Sequence, residues 1–213
     1  MEVFFRDDDA GWEDARLLAL CDVFGALELP LDLAVIPNDL TERLARELGK
    51  RDWLALHQHG FTHRNHEREG RKCEFGPSRS YDEQLHDIAA GRDILEALLG
   101  DFTMIFTPPW NRCTLDTARA ARALGFAMLS REHRDEPFGL ERLAELPVHL
   151  DFARLSPEEL DERFAALVVE GGAVGVMFHH AVMDREAFDR AGELLHLLAR
   201  HESVRARHML TPA

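Results

Sequence analysis

The chain has 213 residues, 46% hydrophobic and 30% charged, and its 25 Lys and Arg against 39 Asp and Glu give a formal net charge of −14. This length fits one domain with a sizeable core, and this composition excludes a disordered chain. The acidic balance argues against nucleic acid and anionic membrane, whose binding needs cationic surface, and suits a neutral or cationic small-molecule substrate.

Taken in order, short apolar runs alternate with segments of helical period, and Gly, Pro or Asn punctuates nearly every change. The first strand reads Glu2 to Arg6, followed by a helix from about Glu13 to Leu27 with Leu17, Leu18, Cys21 and Phe24 as its apolar stripe. A second strand, Leu31 to Ile36, stops at Pro37 and Asn38; a short helix, Thr41 to Leu48, ends at Gly49; a third strand covers Trp53 to Gln58. The polar stretch Arg64 to Arg79 exceeds the usual connection length and reads as a functional lid. Ser80 and Glu83 form a capping box for a helix that runs to Leu99.

Met104 to Thr107 is a fourth strand stopped by Pro108 and Pro109, Thr114 to Leu124 a helix, Ala127 to Ser130 a fifth strand and Leu146 to Leu150 a sixth. Ser156, Pro157 and Glu159 combine a cap, a favourable first-turn proline and an acidic N3 residue, starting a helix that ends at Gly171. Val174 to Phe178 is the seventh strand, Arg185 to Arg200 the last helix and Val204 to Ala206 a terminal strand. Seven or eight βα units predict a single-domain α/β fold, a closed or nearly closed barrel spanning residues 1 to 213. The alternative, a doubly wound open sheet, lacks a glycine-rich phosphate loop after strand one.

The chemically unusual residues follow strand ends, where a βα barrel gathers its active site. Asp7, Asp8 and Asp9 follow strand one, His59 and His63 strand three, Pro108 to Asn111 strand four, and His179 with His180 strand seven. Each group alone has a plainer reading: a solvated aspartate turn, chance histidines, a rigid proline turn. Their joint occurrence at four strand ends favours a shared site. On a helical turn, the four-residue spacing of His59 and His63 points both imidazoles at one ion, and one carboxylate with two histidines leaves coordination positions open, as a catalytic metal requires. His57, two residues before His59, faces the same side of its strand. His149 and Asp151 read as a turn, and Cys113 as a packed thiol. Cys21, Cys73 and Cys113 are odd in number and lack CxxC spacing, which argues against a disulfide framework or a thiolate zinc site. The N-terminus shows no basic segment leading into an apolar run, so a cytoplasmic location is expected.

In order, FRDDDAG, HQHGFTH, FTPPWN and MFHH resemble the successive motifs of the polysaccharide deacetylase family, also called carbohydrate esterase family 4 or the NodB homology domain, over Phe5 to about His180. The resemblance implies a distorted (β/α)7 barrel, one divalent metal, usually zinc, and removal of acetyl groups from N-acetylated sugars, whether oligosaccharide or small soluble compounds. It implies Asp7 as catalytic base, Asp8 with His59 and His63 as metal ligands, and His179 as the acid that protonates the leaving nitrogen. A second register, Asp8 as base and Asp9 as ligand, stays open, as does His180 in place of His179. Pro109 and Trp110 match the groove motif, with the Trp110 N–H meeting the oxyanion. The arginine of that motif is replaced by Thr107, which leaves the partner of the catalytic aspartate to another residue, with Arg131 the candidate. These departures suggest a divergent member. A hydrolase of a non-sugar amide, imide or ester at the same site, or a catalytically silent metal- or sugar-binding barrel, are the alternatives.

Overall fold

The computed structural model describes residues 1–132 and 136–210. The chain folds as an α/β barrel around one parallel sheet. Its strands are β1 (Glu2–Ala10), β2 (Leu31–Val35), β3 (Leu54–His59), β4 (Thr103–Thr107), β5 (Met128–Leu129), β6 (Ala144–Glu145), β7 (Leu150–Asp151), β8 (Ala173–Phe178) and β9 (Arg205–Ala206). The spatial order is β6-β5-β4-β3-β2-β1-β8-β7, with β9 alongside β1. The helices are α1 (Asp14–Ala26), α2 (Glu42–Leu48), α3 (Tyr81–Leu99), α4 (Leu115–Ala123), α5 (Pro157–Glu170) and α6 (Arg185–Arg200). Among the described residues no helix is long and apolar enough to cross a membrane.

The helix starts follow the capping chemistry. Ser80 and Ser156 cap α3 and α5 in reciprocal boxes with Glu83 and Glu159. Thr41 caps α2 and Asp184 caps α6 through their side chains. The segment expected as one sixth strand does two jobs. Leu146 and Val148 donate backbone hydrogen bonds to Leu129 and Arg131 beside β5, then His149 and Phe152 donate to Gly175 and Met177 of β8. That run joins the two edges of the sheet, and the expected strand Leu146 to Leu150 is instead the link from β6, which ends at Glu145, to β7, which begins at Leu150, because its partner changes midway.

The pleat of β1 organises the interior. Phe5 packs against Phe24 of α1 and Phe178 of β8, so it faces the helix layer. Phe4, on the opposite face, joins Ile105, Met128, Val148, Met177 and Met209 inside the barrel. Side chains alternate along a strand, so Arg6 and Asp8 follow Phe4 inward while Asp7 follows Phe5 outward. The pairing register with β2 shifts between Asp7 and Ala10, and Asp9 has φ 69°. This bulge re-aims Asp9 and ends the alternation at the barrel mouth.

Candidate active site

The three consecutive aspartates have three different environments. Asp7, fully buried on the helix side, accepts a 3.0 Å hydrogen bond from the His180 backbone N–H and lies 2.6 Å from His180 Nδ1. His180 Nε2 is 2.8 Å from the Trp12 carbonyl. Both ring nitrogens therefore face acceptors, the pattern of an imidazolium. Burial opposes that charge, but Asp7 outweighs it and raises the His180 pKa.

Asp8 lies inside the barrel against Arg6. Arg6 Nε is 2.8 Å from Asp8 Oδ1, and Arg6 Nη2 donates to Oδ2 at 2.9 Å. The guanidinium is itself fully buried and fixed by Ser130 Oγ at 2.8 Å and Asn111 Oδ1 at 2.5 Å. Burial pushes the Asp8 carboxyl up, but Arg6 and then His59 and His179 more than reverse this, so Asp8 is held below the usual carboxylate range.

Asp9 is the carboxylate beside the histidine pair. Its Oδ1 lies 3.2 Å from His59 Nε2 and 3.1 Å from His63 Nε2. That oxygen is buried and has no partner in hydrogen-bond geometry. Among the described residues, Asp9, His59 and His63 form the set whose ligand atoms could share an ion. Of the two registers the sequence leaves open, this geometry sets Asp9 beside the imidazoles, whereas Asp8 is paired with Arg6. His59 Nδ1 is 3.0 Å from the Thr107 carbonyl, a contact that orients the ring with Nε2 toward Asp9. Ligands bonded at about 2.1 Å to a zinc-like ion stand roughly 3.0–3.4 Å apart, so an oxygen and two imidazole nitrogens at these separations fit a divalent cation. Burial raises the Asp9 carboxyl, yet the two imidazoles dominate and hold it far below its ordinary value.

His59 and His63 do not converge from a helical turn. His59 ends β3, and the chain reverses through Gly60 at φ 56° and His63 at φ 54°. A Cβ at Gly60 would collide with Glu74 and Pro109, so only glycine fits there. Glu74 is fully buried and accepts from the Thr62 N–H at 2.7 Å, the Thr62 hydroxyl at 2.9 Å and the Phe61 N–H at 3.3 Å. The long stretch expected as a lid is thus anchored at its far end, where it clamps the turn that carries His63. His63 is also flanked by the rings of Trp12 and Trp110, with centroids at 4.6 and 4.4 Å. Trp110 and Asn111 occupy the left-handed region at φ 56° and 58°, so positive-φ residues cluster where side chains must converge.

The remaining expected residues separate cleanly. His179 lies across the cleft, its Nε2 3.9 Å from Asp8 Oδ2 and its Nδ1 3.5 Å from Asp151 Oδ1. Burial lowers the His179 pKa, but Asp151 and then Asp8 override it and raise it to about 9. His180 points away to Asp7. Arg131, expected as the partner of an aspartate, has its Nη2 paired with Glu145 at 2.7 Å and its guanidinium over the Phe138 ring at 4.1 Å. Pro109 and Trp110 line the turn below and beside His63. His57 sits behind the site, its Nε2 2.9 Å from Thr107 Oγ1, and burial with the Arg6 charge lowers it to about 3, keeping it neutral. Arg6, Glu74 and Asp151 are the functional-looking residues that sequence reading did not assign. Cys21 and Cys73 are buried thiols whose pKa values burial raises.

The fold defined here, a parallel barrel with an Asp-His-His cluster at its mouth, is the fold of the solved polysaccharide deacetylases. A protein from Mycobacterium smegmatis assigned to the polysaccharide deacetylases superposes with a TM-score of 0.76 at 17% identity, over 98% of this chain and 87% of that one. A family 4 carbohydrate esterase from Streptomyces lividans, solved with acetate, gives 0.67 at 12% identity over 99% and 92%. A family 4 pseudoenzyme from Bacillus anthracis gives 0.65 at 15% identity over 91% of this chain and 60% of that one. Neither the scan of family models nor the comparison with curated proteins gives a match.

Proposed function

We propose that the protein is a metal-dependent hydrolase that removes an N-linked acetyl group from a sugar or related small amide. The observation that carries this reading is the buried Asp9 oxygen set 3.2 and 3.1 Å from two imidazole Nε2 atoms, with the Arg6-bound Asp8 and the Asp151-paired His179 beside it. Fold likeness alone does not decide activity, since this fold is shared with a pseudoenzyme.

In this reading Asp9, His59 and His63 hold one divalent ion, zinc by the donor set of one carboxylate and two imidazoles, and when bound it supplies a Lewis acid and an acidified water. Asp8, ionised by its Arg6 partner, accepts the proton of the attacking water. Arg6 fixes the orientation of that carboxylate, the task left open by Thr107 in the groove motif. The Trp110 backbone N–H donates to the developing oxyanion. His179, protonated through Asp151, gives its proton to the departing nitrogen, so that acetate and a free amine leave. Asp7 and His180 stand behind the strand and support it.

The test measures bound metal alongside acetate release from a panel of N-acetyl sugars and non-sugar N-acyl compounds. Stoichiometric metal with turnover of N-acetyl sugars is the expected result. Metal binding with no product from any member would replace the enzyme with a silent metal-binding barrel.

A further inference from the structure

The cleft above the Asp9, His59 and His63 cluster encloses about 310 Å³, at the lower end of small-molecule sites, so it admits about one sugar-sized group. Its lining sets two arginines beside the carboxylates of Asp9, Glu132 and Asp151. Arg112 and Arg154 both line it, in a chain whose formal charge is −14. Arg154 is committed to Asp151 through a 3.1 Å ion pair. Arg112 makes no ion pair among the described residues, although Glu132 lines the same cleft. Its Nη1 donates to the Lys72 carbonyl at 2.9 Å, and its Nε is buried without a hydrogen-bond partner.

The buried Nε cannot reach a ligand, so the donor capacity open to the cleft lies on the terminal nitrogens, of which Nη1 is partly used by Lys72. Its placement is rigid: the Arg112 carbonyl accepts from the buried Cys73 Sγ at 3.3 Å, and the backbone turn before it is fixed by the left-handed Trp110 and Asn111. Burial and the nearby Arg71 lower its pKa, with Glu132 opposing them. A planar donor fork with free capacity, held beside a catalytic cleft, matches carboxylate or phosphate oxygens.

We propose that Arg112 is a specificity residue that binds an anionic group, a carboxylate or a phosphate ester, on the substrate carrying the acyl amide. The inference rests on the deacetylase reading and narrows it. It also reverses the preference for a neutral or cationic substrate that net charge alone implies, because recognition depends on the charges facing the cleft.

The test uses the metal-loaded full chain with N-acetylglucosamine, N-acetylglucosamine 6-phosphate and N-acetylmuramic acid, measuring kcat and KM and, in parallel, binding by calorimetry. The wild type is expected to favour at least one anionic sugar over the neutral one by about tenfold or more, with the favoured member identifying phosphate or carboxylate as the source. In Arg112→Gln that preference should fall to near unity through KM rather than kcat. Arg112→Lys, which keeps the charge and loses the fork, should retain part of it. Bound metal serves as the folding control. Equal handling of all three sugars by the wild type, or a preference untouched in Arg112→Gln, would overturn the proposal while leaving the deacetylase reading intact. If no sugar is hydrolysed but an anionic one binds tighter in an Arg112-dependent way, the reaction assignment fails and the anion site stands.

Discussion

Replacing Asp7 by Asn separates a structural aspartate from a catalytic one. Asp7 and His180 form an ion pair in which both side chains are 0% exposed, with Nδ1 2.6 Å from the carboxylate and the other ring nitrogen committed to the Trp12 carbonyl. The substitution leaves a buried imidazolium without its counter-charge, a change that costs about 3–5 kcal/mol. In a chain of this size each kcal/mol moves the melting temperature by about 2–4 °C, so a fall of roughly 10 °C is expected. Because the folded His180 pKa lies above its ordinary 6.5, the pair's contribution is fully present below about 6.5 and is lost as pH rises through the folded value. The gap between wild type and variant should therefore narrow toward alkaline pH. Thermal unfolding by circular dichroism across this range, with kcat and bound metal measured well below the melting point, reads both effects. Metal and turnover per folded molecule should survive. A variant that melts with the wild type yet has no turnover would refute this assignment and restore Asp7 as the base.

Two further substitutions probe the groups around Asp8. Arg6→Lys removes the planar guanidinium that holds both Asp8 oxygens, so kcat should fall by on the order of 100-fold with metal content retained, measured as acetate release beside metal analysis; full turnover would show that Asp8 needs no such partner. Asp151→Asn removes the main influence that raises His179 to about 9. The acid form is present below that value and lost above it, so the alkaline limb of the wild-type pH-rate profile should lie near 9 and shift to lower pH in the variant; an unmoved limb would assign the proton donor elsewhere.

Much of this architecture was legible in the chain. Capping residues Thr41, Ser80, Thr114 and Ser156 mark helix starts because their side chains satisfy N–H groups that have no partner within the helix. The clustering of polar residues at the C-terminal ends of β1, β3, β4 and β8 pointed to the cleft, since parallel strands bring their ends to one face. The division of labour among Asp7, Asp8 and Asp9 was harder. Strict alternation assigns Phe5 and Asp7 to one face and Arg6 and Asp8 to the other, a signal present in the sequence, but the bulge that turns Asp9 toward His59 depends on pairing with β2. Glu74 was hidden in a polar loop, because nothing local distinguishes a buried clamp from a solvated glutamate. Asp151 read as a turn because its strand exists only where two sheet edges meet. The role left vacant by Thr107 is matched by Arg6, which reaches Asp8 from two residues away on the same strand face, a contact that period two permits but does not compel.

The central claim, that Asp9 ligates and Asp8 acts as base, is tested most directly by titrating zinc into metal-stripped Asp8→Asn and Asp9→Ala by calorimetry. Asp8→Asn should bind about one ion per chain, and Asp9→Ala should bind far more weakly. Tight binding by Asp9→Ala together with its loss in Asp8→Asn would contradict the account.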